Sequence, residues 1–219
     1  MDAKQFADTQ FGRARLTPGP HGYVAYAPRS IPRTVDISSG NLLRLADAEA
    51  ALGRLAGAGR LLPDPHLLVR PYLRREAVAS TRIEGTQASL FDVFDAEANG
   101  QPLTADVEEV VNYVRAMEMG LLRLETLPMS TRLIREMHGV ILAGVRGRDR
   151  QPGEIRSTQN WIGPPGATID TATFVPPPPD DLGDLLSDLE RFVHEPPELP
   201  PLVQAALIHY QFETIHPFL

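Results

Sequence analysis

The chain has 219 residues, 42% of them hydrophobic, and a formal net charge of −7, so it can bury a sizeable core but is poorly suited to displacing counterions from a nucleic-acid backbone. No nucleic-acid partner is expected, and the clusters Arg74/Arg75 and Arg146/Arg148/Arg150 read as solvated faces. The absence of cysteine excludes disulfides and thiolate metal sites; no signal-peptide core and no run near the roughly 18 apolar residues of a membrane span are present, so a cytoplasmic location without membrane association is expected.

Residues 1–35 hold Pro18, Pro20, Pro28 and Pro32 among several glycines and read as an extended arm. Ser38 and Ser39 can cap a first helix with the stripe Leu45, Ala48, Leu52, Leu55 and Ala56, ended by Gly57 and Gly59. After the proline-punctuated LLPDPHLLVRP, a second helix is predicted from Pro71, tolerated in a first turn, to near Gly85. A polar link follows. Thr104 then caps a third helix with Val107, Val110, Val111, Val114, Met117 and Leu121 on one face, the cleanest amphipathic pattern in the chain. Ser130 starts a fourth, with Leu133, Met137, Val140 and Ile141 inward and Gly144 as its stop. The segment QPGEIRSTQNWIGPPGATIDTATFVPPPP carries the β signal, a short hairpin leading into stiff extended chain at Pro176–Pro179. A fifth helix runs from about Asp181 through Leu185, Leu186, Leu189, Phe192 and Val193, and a last one from roughly Pro201 to Ile215. The expected fold is mainly α with one short β-hairpin.

Two places break the pattern. Leu73, Ala77, Ser80 and Glu84 fall at i, i+4, i+7 and i+11, so a carboxylate stands on a face that begins apolar; either that face turns to solvent in its last turn or Glu84 has a functional partner. His209, Glu213 and His216 fall at i, i+4 and i+7, a spacing that a two-His, one-carboxylate metal site could use on an uninterrupted helix. Pro217 works against it, because the residue before proline is steered out of the α region and His216 then sits at the helix exit. There an imidazole can take a proton from an attacking hydroxyl.

These residues carry a resemblance. HYQFETIHPFL resembles the opening of the signature of the Fic family, which continues with an acidic residue, a Gly-Asn-Gly anion-binding loop and two arginines. STRIEG resembles the family's inhibitory helix motif, with Ser80, Glu84 and Gly85 in its defined positions. PGEIRSTQNWIGP followed by TATFVPPPP is similar to the stretch leading into the family's flap, and REAVASTRIEGTQASL to the domain that precedes the catalytic core in a bacterial subgroup. The similarity spans residues 36–219, with 36–100 as the helical N-terminal region bearing the inhibitory helix and 101–219 as the core.

The resemblance implies a helical Fic fold that transfers AMP from ATP, with Mg2+, to a hydroxyl of a target protein. His216 would be the general base. Thr173, Phe174 and Val175 would belong to the flap that aligns the target by main-chain pairing, and Glu84 would inhibit by pairing with the second arginine of the signature. The family's Mg2+ ligand, anion loop and arginines fall beyond Leu219, so the chain is expected to stop within the signature, to contain no metal ligand, to be incomplete at the C-terminal end of its core and to be inactive alone. Three other readings stay open: removal of AMP by the same site, a non-catalytic helical interaction module, and a metal-dependent hydrolase built on His209, Glu213 and His216. A homo-oligomer is compatible with the sequence, which names neither the target protein nor the preferred nucleotide.

Overall fold

A computed structural model describes every residue except Pro20, Pro65, Glu84 and Leu103, and leaves aside the side chains of His66, Leu67 and Leu68. The chain divides into two compact units, one formed by Met1–Leu45 with Ile155–Leu219, the other by Ala46–Glu154. The division falls within the first helix, α1 (Ser39–Gly59). That helix forms over the predicted span, yet none of its residues is buried and Leu42, Leu43, Leu52 and Leu55 are exposed. Alanine, leucine and arginine supply its helical propensity without a packed face.

The unit 46–154 is built around α2 (His66–Ile83), α3 (Leu90–Asn99), α4 (Ala105–Arg123) and α5 (Thr131–Ile141). Its core joins Ala77 and Val78 of α2, Val93 and Ala96 of α3, and Val107, Val110, Val111 and Val114 of α4. Thr104 and Ser130 cap α4 and α5 as predicted, their hydroxyls accepting from Val107 N and Leu133 N. Gly120 admits the close approach of Met137, whose sulfur would lie 2.7 Å from a Cβ there. Asn112 is buried and donates to Ala143 O at 2.8 Å, tying α4 to the end of α5. Arg74 bridges three helices through Glu97 at 2.8 Å and Glu118 at 3.3 Å.

Two expectations change here. The second helix begins at His66, with Pro71 inside it, so proline removes one ladder donor and does not mark the first turn. The expected polar link contains α3, set by a capping box in which Ser89 and Asp92 satisfy each other's main-chain N–H groups, and ended by Gly100 in the left-handed region.

The unit containing both chain ends packs α6 (Leu182–His194) against α7 (Pro201–Ile215) through Leu182, Leu186, Leu189, Phe192, Leu207 and Ile215, with Ile31 of the arm among them. Buried Asp188 accepts from Ile31 N at 2.8 Å. Among the described residues the sheet is a single antiparallel hairpin, β1 (Gly12–Leu16) and β2 (Val24–Pro28), with Gly12 opposite Pro28 and Leu16 opposite Val24. The hairpin therefore lies in the arm, and the 151–179 segment carries an isolated antiparallel bridge, Ile162 with Phe174. Gly22 is required in the hairpin loop, where a Cβ would stand 2.6 Å from Thr17 O. Among the described residues no helix is long and apolar enough to cross a membrane.

Candidate functional site

Helix α7 starts on Pro201, whose missing N–H is no loss at a first position, and ends where Pro217 forbids continuation. His216 is its C-cap: its N–H donates to Phe212 O at 3.0 Å, but its backbone turns to φ 45°, ψ 64°. A non-glycine residue in this left-handed region costs roughly 1–2 kcal/mol, so the surroundings must hold it.

Residues 156–160 do so. Arg156 donates through Nε to His216 O at 2.8 Å and through Nη2 to Pro177 O at 2.7 Å, and its main-chain N–H donates to Pro217 O at 2.9 Å. Burial pushes the guanidinium down to about 10, which leaves it a cation at neutral pH. Asn160 Nδ2 donates to Phe218 O at 2.9 Å, and its Oδ1 is buried without a partner among the described residues. Gln159 Nε2 donates to Pro176 O at 3.0 Å and its Oε1 accepts from the Tyr23 hydroxyl at 2.8 Å. The segment after α7, the start of the flap and its proline-rich exit thus share one hydrogen-bonded layer.

The 161–175 stretch, called the flap for its resemblance in sequence to that of the family, closes through Ile162 N to Phe174 O at 2.8 Å and Phe174 N to Ile162 O at 3.0 Å. From beside that bridge the Trp161 indole N–H reaches Ala167 O at 2.9 Å, and Gly163 has no room for a Cβ, which would meet that of Ala167 at 2.9 Å. The arm braces its base. Tyr26 N donates to Val175 O at 2.8 Å, Val175 N approaches Met1 Sδ at 3.4 Å, and the rings of Phe6, Tyr26 and Phe174 pack together. Tyr26 also meets the Tyr210 hydroxyl of α7 at 2.9 Å, and burial with that bond holds its own hydroxyl above the usual phenol range.

Of the flap residues named from the sequence, Thr173 is exposed, Phe174 half-buried and Val175 buried with both main-chain groups engaged. His216 is half-buried, in the same unit. Ser80 and Gly85 belong to the other unit. The Ser80 hydroxyl donates to Glu76 Oε1 at 2.7 Å, and Gly85, at φ 94°, closes α2 in a Schellman arrangement with Gly85 N on Arg82 O and Thr86 N on Thr81 O. Glu84 lies outside the described residues. His209 and Glu213 are exposed, and among the described residues no three His, Cys, Asp or Glu side chains are arranged to hold a metal ion. The hydrolase spacing is undone by the helix ending before His216. Arg156 and the arm went unread: Arg156 finds its acceptors at positions 177, 215 and 216, which no local spacing encodes, although the β-branched and aromatic Val24–Tyr26 run between glycine-proline turns was a strand signal.

Residues 42–122 match the Fic/DOC family N-terminal region and residues 128–219 match the Fic/DOC family itself. This chain belongs to the Fic/DOC family. Its fold is similar to that of a Fic family protein from Desulfovibrio desulfuricans G20, with a TM-score of 0.61 and 21% identity over 84% of this chain and 54% of that one. A Fic domain containing signaling protein from Bacteroides thetaiotaomicron VPI-5482 is similar at a TM-score of 0.52 and 22% identity, over 68% of this chain and 54% of that one. The chain spans about half the length of these two structures, and at such identities the likeness is one of fold. Within the Fic/DOC match, His216, Arg156 and the flap lie in the second matched region and Ser80, Glu84 and Gly85 in the first. The β1–β2 hairpin precedes both.

Proposed function

We propose that this Fic/DOC protein is a protein adenylyltransferase, in which a target hydroxyl attacks the α-phosphorus of ATP. A new O–P bond forms, the bond from that phosphorus to the bridging oxygen of pyrophosphate breaks, and pyrophosphate leaves. His216 takes the hydroxyl proton. The observation that carries this reading is the conformation of His216: the residue sits in a left-handed exit, tied through Arg156 to the base of the flap, so its backbone is fixed beside the segment expected to hold the target. Preorganisation of this kind is what a positioned base needs.

Target alignment falls to the exposed parts of the flap. Val175 is committed to Tyr26 and Met1 and the Thr173 N–H to Ile162 O at 2.9 Å, so pairing with an incoming strand is assigned to Trp161, Gly163 and the Thr173 carbonyl. Glu84, which follows α2 in the sequence, is assigned as the inhibitory carboxylate. Among the described residues no group of three His, Cys, Asp or Glu side chains is arranged to hold the Mg2+ that would accompany ATP.

The test is transfer of label from [α-32P]ATP to protein, using the polypeptide made from the full reading frame. His216→Ala abolishes transfer and Glu84→Gly raises it. Undiminished labelling in His216→Ala would put the base elsewhere and end the proposal.

A further inference from the structure

Near His216 lies a buried cation whose described side-chain hydrogen bonds all end on main-chain carbonyls. Arg156 is 2% exposed. Its Nε reaches His216 O at 2.8 Å, its Nη2 reaches Pro177 O at 2.7 Å and Ile215 O at 3.3 Å, and its Nη1 reaches Thr158 O at 3.3 Å. Removing a charge from water is unfavourable unless hydrogen bonds replace its hydration, and these carbonyls do that. Two of them close α7, whose C-terminal end carries the negative pole of the helix dipole. The others, Thr158 O and Pro177 O, belong to the segments entering and leaving the flap. A planar fork can grip carbonyls on both sides at once, whereas an ammonium acts as a point charge.

We propose that Arg156 is a positioning residue, whose guanidinium clamps the end of α7 to the flap base and so keeps His216 in its left-handed conformation. Three features carry this: the strained backbone of His216, the burial of the guanidinium, and acceptors shared between positions 215–216 and 177. Its consequence for rate rests on His216 being the base. Its consequence for backbone geometry does not.

Arg156→Lys keeps the charge and removes the fork. In that variant kcat for AMP transfer falls about 100-fold, as expected when a reacting group is displaced by about 1 Å, while KM for ATP stays within about twofold. By NMR, the Cα and Cβ shifts of His216 lose their positive-φ signature. In the wild type, a through-hydrogen-bond coupling links Arg156 Nε to the His216 carbonyl carbon, a readout that needs neither a folded variant nor activity. Absence of that coupling, unchanged His216 shifts in Arg156→Lys, or wild-type kcat in that variant beside an inactive His216→Ala, would overturn the clamp. If His216→Ala is itself fully active, the adenylyl-transfer reading fails while the coupling and the shifts still decide the clamp.

Discussion

Replacing Gly85 by alanine isolates the backbone contribution to the end of α2. Gly85 has φ 94°, its N–H donates to Arg82 O at 3.1 Å, and Thr86 N donates to Thr81 O at 3.2 Å. An alanine Cβ built there meets nothing within 4 Å, so no clash enters the sum. What remains is the conformational cost of an L-residue in the left-handed region, about 1–2 kcal/mol. Against it stands the smaller freedom of alanine in the unfolded chain, about 0.4–1 kcal/mol. The net expectation is a loss of about 1 kcal/mol. For a domain near the size of the 46–154 unit, this lowers Tm by roughly 4–8 °C. Differential scanning calorimetry of the wild type, Gly85→Ala and Gly85→Asn measures it; asparagine tolerates the left-handed region and loses less. A Gly85→Ala protein melting at or above the wild type, or an asparagine variant worse than the alanine one, would refute the assignment of Gly85 as a conformational stop.

The remaining predictions concern packing, a buried carboxylate and pH. Leu133→Ala, at a side chain 1% exposed, costs about 2–5 kcal/mol in urea unfolding. Asp188→Ala strands the N–H of Ile31, itself 3% exposed, and costs about 1–3 kcal/mol; Asp188→Asn keeps an acceptor oxygen and loses less in the same assay. Burial holds His138 below its ordinary range of 6.5, and its Nδ1 accepts from Gly153 N at 2.9 Å. The unfolded chain therefore binds this proton more readily, so the contribution is complete above about pH 6.5 and lost as pH falls toward the lower folded value. Denaturant unfolding at pH 7.5 and 5.5 shows a smaller difference in His138→Gln than in the wild type.

Helices whose signals are local were legible. Thr104 and Ser130 each stand three residues before the first apolar residue of a helical repeat, Val107 and Leu133, and Pro217 limits α7 regardless of what packs on it. The exit of His216 followed from the same rule, although the backbone chose the left-handed region over an extended one because Arg156 holds the carbonyls around it. The helix α3 was missed since Leu90–Asn99 is short and its capping box uses Asp92 where glutamate is the commoner partner. The hairpin of the arm depends on distant chain: Tyr26 pairs with Val175, and the intervening loop is rich in proline and glycine. Pro71 misplaced the start of α2, since tertiary packing of Ala77 and Val78 outweighs the loss of one ladder bond.

The chain has one tryptophan, Trp161, and it stands on the flap, 44% exposed, with its indole N–H on Ala167 O. Nature has thus installed a single fluorophore at the part of the molecule expected to meet a target. Red-selective excitation separates its emission from that of the five tyrosines, so docking of a peptide strand can be titrated optically on unlabelled protein, by the blue shift that accompanies withdrawal of the ring from solvent.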